Sequence, residues 1–294
     1  MSAMGELSFF LGLQVNQKED GFFIHQSKYV KDILSRFKME DCTPYDTPIP
    51  VNHKLNSNPD GKEIDYRLYR ATIRSLIFQA KPKEFHLIAV KRIFHYLKGR
   101  QRLGLWFPHG SNFEFNAYTD SDFGGCCLDR KSTTGGCQFL GNRLVSWQCK
   151  KQTTVSISTC EAEYIAAASC FSQILWIQQQ LRDYGLNFTG TPMFINNTTM
   201  SIRNNPVKHS KTKHIEIRYH FIRDCEDKKL IELVRVHIDD NFVDLFTKAF
   251  DRTRYIIYTD SIEDFPDNSW ILLPESIDSH SEANSLESFD SGSS

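Results

Sequence analysis

The chain has 294 residues, 40% of them apolar and 24% charged, with a formal net charge of −1. That length accommodates one large core or two modest ones, and the composition is that of a globular protein rather than a disordered or fibrous one. No apolar run reaches the roughly 20 residues of a membrane-spanning helix, no amino-terminal signal pattern is present, and the eight cysteines form no C-x-x-C pair, so neither a zinc knuckle nor a disulfide framework is indicated.

The expected setting is therefore intracellular, cytoplasm or nucleus, where thiols stay reduced, with no membrane partner. The small net charge hides an asymmetry. Residues 260–294 hold nine acidic residues and no Lys or Arg, so residues 1–259 keep 27 of the 36 acids against all 35 basic residues, a balance of +8. The serine-rich tail, 259–294, reads as a disordered acidic segment, and the basic body is compatible with a polyanionic partner.

In chain order, "LSFFLGLQV" and "GFFIHQ" read as two strands of a hairpin turning at Asp20-Gly21. Ser27 is placed to cap a helix through "KYVKDILSRF", whose Tyr29, Val30, Ile33, Leu34 and Phe37 share one face. Residues 41–63 hold four prolines and read as an irregular connector. Helical patterns follow in "YRLYRATIRSLIF" and in "PKEFHLIAVKRIFHYLKG", the latter between Pro82 and Gly99. The texture changes near residue 103, where a second domain, 103–258, is expected to begin.

In that second part "LGLWF" and "FEFNAYTD" read as strands, and "GGCQFLG" and "RLVSW" extend them into a meander with tight glycine turns. A long helix is expected in "CEAEYIAAASCFSQILWIQQQLRDYG", then a strand in "PMFIN" and a short helix around "TTMSIRNN". A helix in "KHIEIRYHFIRDCEDK", a strand in "LIELVRVHI" and a closing helix in "NFVDLFTKAF" complete the order. Strands followed by alternating helices and strands imply an α/β sheet with helices packed on it.

Candidate chemistry centres on acids that end elements. Asp120 closes a strand, Glu163 lies one turn into the long helix, Asp244 lies in the closing helix, and Asn196 ends the strand "PMFIN". Carboxylates from separate elements suit a hard divalent cation, and two such ions about 4 Å apart support phosphodiester hydrolysis. Taken singly, each acid is more often a solvated surface residue.

Five blocks in order, "YTDSDFGG", "DRKSTTGG", "LVSWQCKKQTTVSISTCEAEYIA", "NNPVKHSKTKHIEIRYHFIR" and "VDLFTKAF", resemble the ribonuclease H domain of copia-type LTR retrotransposon polyproteins. Upstream, "GELSFFLGLQV", "QSKYVKDILSRFKMEDC", "TPIP", "YR" and "AVKRIFHYLKG" resemble the thumb and connection that follow the reverse-transcriptase palm. The resemblance implies a ribonuclease H-like α/β domain with a mixed five-stranded sheet, preceded over residues 1–102 by a β-hairpin and a helical remnant. It implies Mg²⁺-dependent (or Mn²⁺-dependent) hydrolysis of the RNA strand of RNA/DNA hybrids, with two ions held by Asp120, Glu163 and Asp244. The remainder of the reverse transcriptase is the implied partner in an intact polyprotein.

Three departures qualify that implication. The family's third acid, in a C-D-N triplet, stands here as Asn196 in Ile195-Asn196-Asn197, which removes a charge from the metal site and implies impaired hydrolysis. No Y-x-D-D motif occurs, so reverse transcription is not expected. An apolar helical stretch of the family is missing between Ile77 and Phe78. The alternative reading is a non-catalytic remnant that still binds nucleic acid, and a third is an unfolded product of a decayed gene.

Lys150, Lys151, Lys208, Lys211, Lys213 and Arg218 are the candidate phosphate contacts. His209, His214 and His220 are spaced five and six apart, which does not stack them on one helical face for zinc. Cys160 reads as a small buried or capping residue. The glycines of "DFGGCC" and "TTGGC" lack the G-x-x-x-x-G-K-[ST] of a phosphate loop. Trp147, Tyr164 and Trp176 are expected in the core.

Overall fold

A computed structural model describes residues 7–51, 60–65, 67, 69, 83–110, 112–196 and 213–256. The expected helices in "YRLYRATIRSLIF" (apart from Arg67 and Tyr69) and "TTMSIRNN", the Ile77–Phe78 join and the acidic tail lie outside the described residues.

The first sheet is antiparallel, ordered β1-β2-β3-β4: β1 (Phe9–Phe10), β2 (Leu13–Lys18), β3 (Gly21–His25) and β4 (Gly104–Pro108). The stretch "LSFFLGLQV" is not one strand. It folds on itself at Leu11-Gly12, whose φ values of 48° and 84° are those of a type I′ hairpin turn. The stretch "LGLWF", grouped by sequence with the second part of the chain, hydrogen-bonds to β3 instead.

Helix α1 (Ser27–Arg36) buries Val30 and Leu34 against α2 (Glu84–Gly99), where Val90, Phe94 and Leu97 complete a small core. Ser27 does not cap α1. The N-cap is Gln26, Ser27 Oγ lies 2.7 Å from His25 Nδ1, and Gln14 Oε1 accepts from the Lys28 N–H at 2.7 Å.

The second sheet is mixed and five-stranded, ordered β7-β6-β5-β8-β9: β5 (Phe115–Ser121), β6 (Thr133–Leu140), β7 (Arg143–Lys151), β8 (Thr191–Ile195) and β9 (Ile231–Arg235). Strands β5, β6 and β7 form the expected antiparallel meander, while β8 runs parallel to β5 and β9 parallel to β8. This is the α/β arrangement that the ribonuclease H resemblance implies.

Helix α3 (Thr159–Asp183) crosses one face and packs on β5, β6 and α4 (Lys213–Asp227). The core between them includes Phe171, Ile174, Met193, Ile195 and Ile222, and also Tyr164. Burial of such side chains contributes about 1.5–3 kcal/mol each. The short helix α5 (Asp244–Thr247) covers the other face, where Val243 packs with Cys137, Leu144 and Trp147. Trp176 is exposed rather than in the core. Among the described residues no helix is long and apolar enough to cross a membrane.

Candidate active site

Asp120 is the penultimate residue of β5, Asp244 opens α5, and both are 1% exposed. Glu163 sits in the second turn of α3, also buried, and Asn196 follows directly on β8. The structure brings all four to one end of the second sheet.

Their partners show how. The Thr247 hydroxyl donates to Asp120 Oδ2 at 2.5 Å. The Lys248 ammonium lies 2.8 Å from Asp244 Oδ1 and 3.3 Å from Asp120 Oδ2, bridging the two aspartates. The Asn196 amide donates to Glu163 Oε1 at 2.6 Å.

Two buried amides tie the elements that carry these acids. Gln152 Nε2 donates to Ser121 Oγ (3.2 Å), Thr134 Oγ1 (3.2 Å) and Ala162 O (2.9 Å), so it joins β5, β6 and α3 beside Asp120 and Glu163. Asn241 Nδ2 donates to Thr119 O at 3.1 Å, and its Oδ1 accepts from the Val243 N–H. That pair of bonds sets the entry to α5 against β5. Ser158 caps α3 by accepting from the Glu161 N–H at 3.2 Å, so the half-buried Cys160 is not the cap.

Burial and then the Asp120 charge push the Glu163 carboxyl up to about 8, against partial relief from Asn196 and Lys248. Burial and then Asp120 likewise lift Asp244 to about 6. Burial works against the Lys248 charge, yet Asp120 and Asp244 together carry its pKa above the ordinary lysine value. Asp122, two residues beyond Asp120, is also raised, chiefly by burial, although Thr133 N–H donates to it.

Asp120 and Asp244 facing one ammonium leave negative charge unneutralised in a dry site, and with Glu163 they present the hard oxygen donors that Mg²⁺ or Mn²⁺ takes. In donor type and charge the set fits a divalent ion. Among the described residues, however, no group of three or more His, Cys, Asp or Glu side chains converges closely enough to hold one. Lys248 stands between the aspartates.

The sequence is 33% identical over 270 residues to the retrovirus-related Pol polyprotein from transposon RE1 of Arabidopsis thaliana, covering 85% of this chain and 18% of that polyprotein. It is 34% identical over 195 residues to an uncharacterized mitochondrial protein of Arabidopsis thaliana, covering 60% of this chain and 80% of that protein. The chain belongs to the copia-type retrotransposon Pol polyprotein family. It spans about a fifth of the length of the family's polyproteins that it matches. No protein-family profile matches it. Among solved structures it is similar to LC11-RNase H1 in complex with an RNA/DNA hybrid, with a TM-score of 0.35 and 12% identity over 46% of this chain and 94% of that one.

Within this retrotransposon family member, the basic candidates are dispersed. Lys150, exposed, and Lys151, paired with Asp129 Oδ2 at 2.9 Å, end β7. Lys213 opens α4, which also carries Arg218 and the exposed His220. Lys208, Lys211 and His209 lie outside the described residues. Sequence reasoning did not single out Lys248, Thr247, Gln152 or Asn241. A usable signal existed for Lys248, which follows Asp244 by four positions and so lies one helical turn on.

Proposed function

We propose that the chain engages RNA/DNA hybrids through its second sheet and hydrolyses the RNA strand there, with the hydrolysis impaired by Asn196. The observation that carries this reading is the burial of Asp120, Glu163 and Asp244, from β5, α3 and α5, at one end of the second sheet. Mg²⁺ or Mn²⁺, when bound, would be held by these three carboxylates and would supply an activated water and charge stabilisation at the scissile phosphate. Asp120 and Asp244 provide the buried negative charge. Glu163, with its raised pKa, holds a proton near neutral pH in the absence of metal. Asn196 offers an amide where the family resemblance implies a carboxylate, so one of the charges that would draw in a dication is missing.

Cleavage of an RNA/DNA hybrid in Mg²⁺, compared between the chain and Asn196→Asp, tests this. A gain of about 10³-fold is expected, the equivalent of about 4 kcal/mol of transition-state stabilisation. Equal rates would refute the role of Asn196.

A second reading, a non-catalytic nucleic-acid-binding remnant, is favoured by Lys248 and Asn196 already occupying the carboxylates. Hybrid binding without cleavage, even in Mn²⁺ and even for Asn196→Asp, selects it.

A further inference from the structure

Away from the carboxylate cluster, the structure holds a second group of reactive side chains together: Cys126, Asp129 and Lys151. The loop between β5 and β6 folds back on itself to make it. Cys126 N–H donates to Lys131 O at 3.1 Å, Arg130 N–H to Cys126 O at 2.9 Å, and Lys131 N–H to Asp129 Oδ1 at 3.3 Å. Arg130 takes a left-handed φ of 57° to close the turn. Lys151 comes from the other side as the last residue of β7, registered against Thr133, and the next residue's N–H donates to Ser132 O at 2.8 Å. Both partners are thus fixed against the start of β6.

The Lys151 ammonium donates to Cys126 Sγ at 3.2 Å and lies 2.9 Å from Asp129 Oδ2. Against opposition from burial, the contact with Lys151 draws the Asp129 carboxyl down to about 2 and lifts Lys151 above the ordinary lysine value, so Asp129 fixes the ammonium beside the sulfur and the amine lone pair is exposed only as an ammonium proton passes to solvent. The Lys151 side chain is 20% exposed and Cys126 half-buried, so a small oxidant reaches both.

We propose that Cys126 and Lys151 form an oxidation-sensitive pair that dioxygen closes into a covalent S–O–N bridge. The Cys126 S–H bond and one Lys151 N–H bond break, and one atom of dioxygen bonds to both Sγ and Nζ. The other oxygen atom leaves as water, and the remaining ammonium proton passes to solvent. Sulfur and nitrogen each give up two electrons, which together reduce dioxygen fully. The product has lost the positive charge of Lys151, so oxidation removes one candidate phosphate contact beside Lys150. An excess of a dithiol reverses it by returning thiol, amine and water.

The test uses the full chain, reduced, freed of reductant, and divided between oxygen-saturated and anaerobic buffer. Peptide mass spectrometry of the oxygenated sample should show the Cys126 and Lys151 peptides linked, with one oxygen more and two hydrogens fewer than their sum. The species should vanish on dithiothreitol treatment and be absent from Cys126→Ser and Lys151→Arg, yet persist in Cys127→Ser. Oxidation confined to sulfenic, sulfinic or disulfide products overturns the proposal. So does a linked species that survives in Lys151→Arg. None of these readouts depends on hybrid hydrolysis.

Discussion

The Asn196 amide nitrogen lies 2.6 Å from Glu163 Oε1 and donates to it across the end of the sheet. The amide stands where the family resemblance implies a carboxylate, and it serves as a hydrogen-bond donor to the neighbouring acid. In the absence of metal this relieves repulsion. Asn196→Asp removes the donor and adds a like charge, so in chelator it should lower unfolding stability by about 1–3 kcal/mol. Urea denaturation with EDTA checks this, and millimolar Mg²⁺ should restore the lost stability to the variant more than to the parent.

The raised pKa of Glu163 sets a pH dependence. Its folded value of about 8 exceeds its ordinary 4.5, so between those values the folded state binds the proton that the unfolded state has lost. The stabilising contribution is complete below the ordinary value and disappears as pH rises through about 8. Asp244, raised to about 6, adds a loss in the lower part of the window. Metal-free denaturation midpoints should therefore fall on going from mildly acidic to mildly alkaline buffer. Glu163→Gln should flatten the upper part of that fall, and an unchanged profile in the variant would count against the assignment.

Gln152 is 5% exposed, and its amide nitrogen reaches three acceptors on β5, β6 and α3 while its oxygen accepts from Ser156 Oγ at 3.1 Å. Removing it leaves several buried polar groups unpaired. Gln152→Ala should cost about 2–4 kcal/mol, measured by chemical denaturation.

Gly135 on β6 faces α5. A Cβ there would lie 2.7 Å from Val243 Cγ1 and 2.8 Å from Thr247 Cγ2. Gly135→Ala should destabilise by about 1–3 kcal/mol through overpacking. It should also shift α5, and with it Asp244 and Thr247, so any divalent-ion stabilisation should weaken alongside.

At the end of β7, Lys150 is exposed and Lys151 shares its charge with Asp129. Lys150→Glu should reduce the slope of log affinity for a hybrid against log salt by roughly one unit or less, as expected for one lost phosphate contact. Fluorescence anisotropy over a salt series measures it.

Much of this was legible in the sequence because it is local. The first hairpin, the meander, the long helix and the strand before Asn196 follow from periodicity and turn chemistry within each segment, although the turn is Glu19-Asp20 rather than Asp20-Gly21, since Gly21 already pairs with Lys18. The sheet to which "LGLWF" belongs did not, since an apolar strand carries no label for its partner. The same holds for Ser27, a good N-cap by type, whose hydroxyl found His25 instead.

By itself the sequence determined most of the described elements and named Asp120, Glu163, Asn196 and Asp244 as the corners of one site, through ordered motif blocks. Only the tertiary structure decided what those corners touch. Thr247 meets Asp120 across 127 positions and Asn196 meets Glu163 across 33, distances over which no periodicity operates. Whether a buried carboxylate faces an ammonium, an amide or water depends on how helices settle on the sheet. That settling is set by packing of Val243, Phe171 and their neighbours rather than by the charged residues themselves.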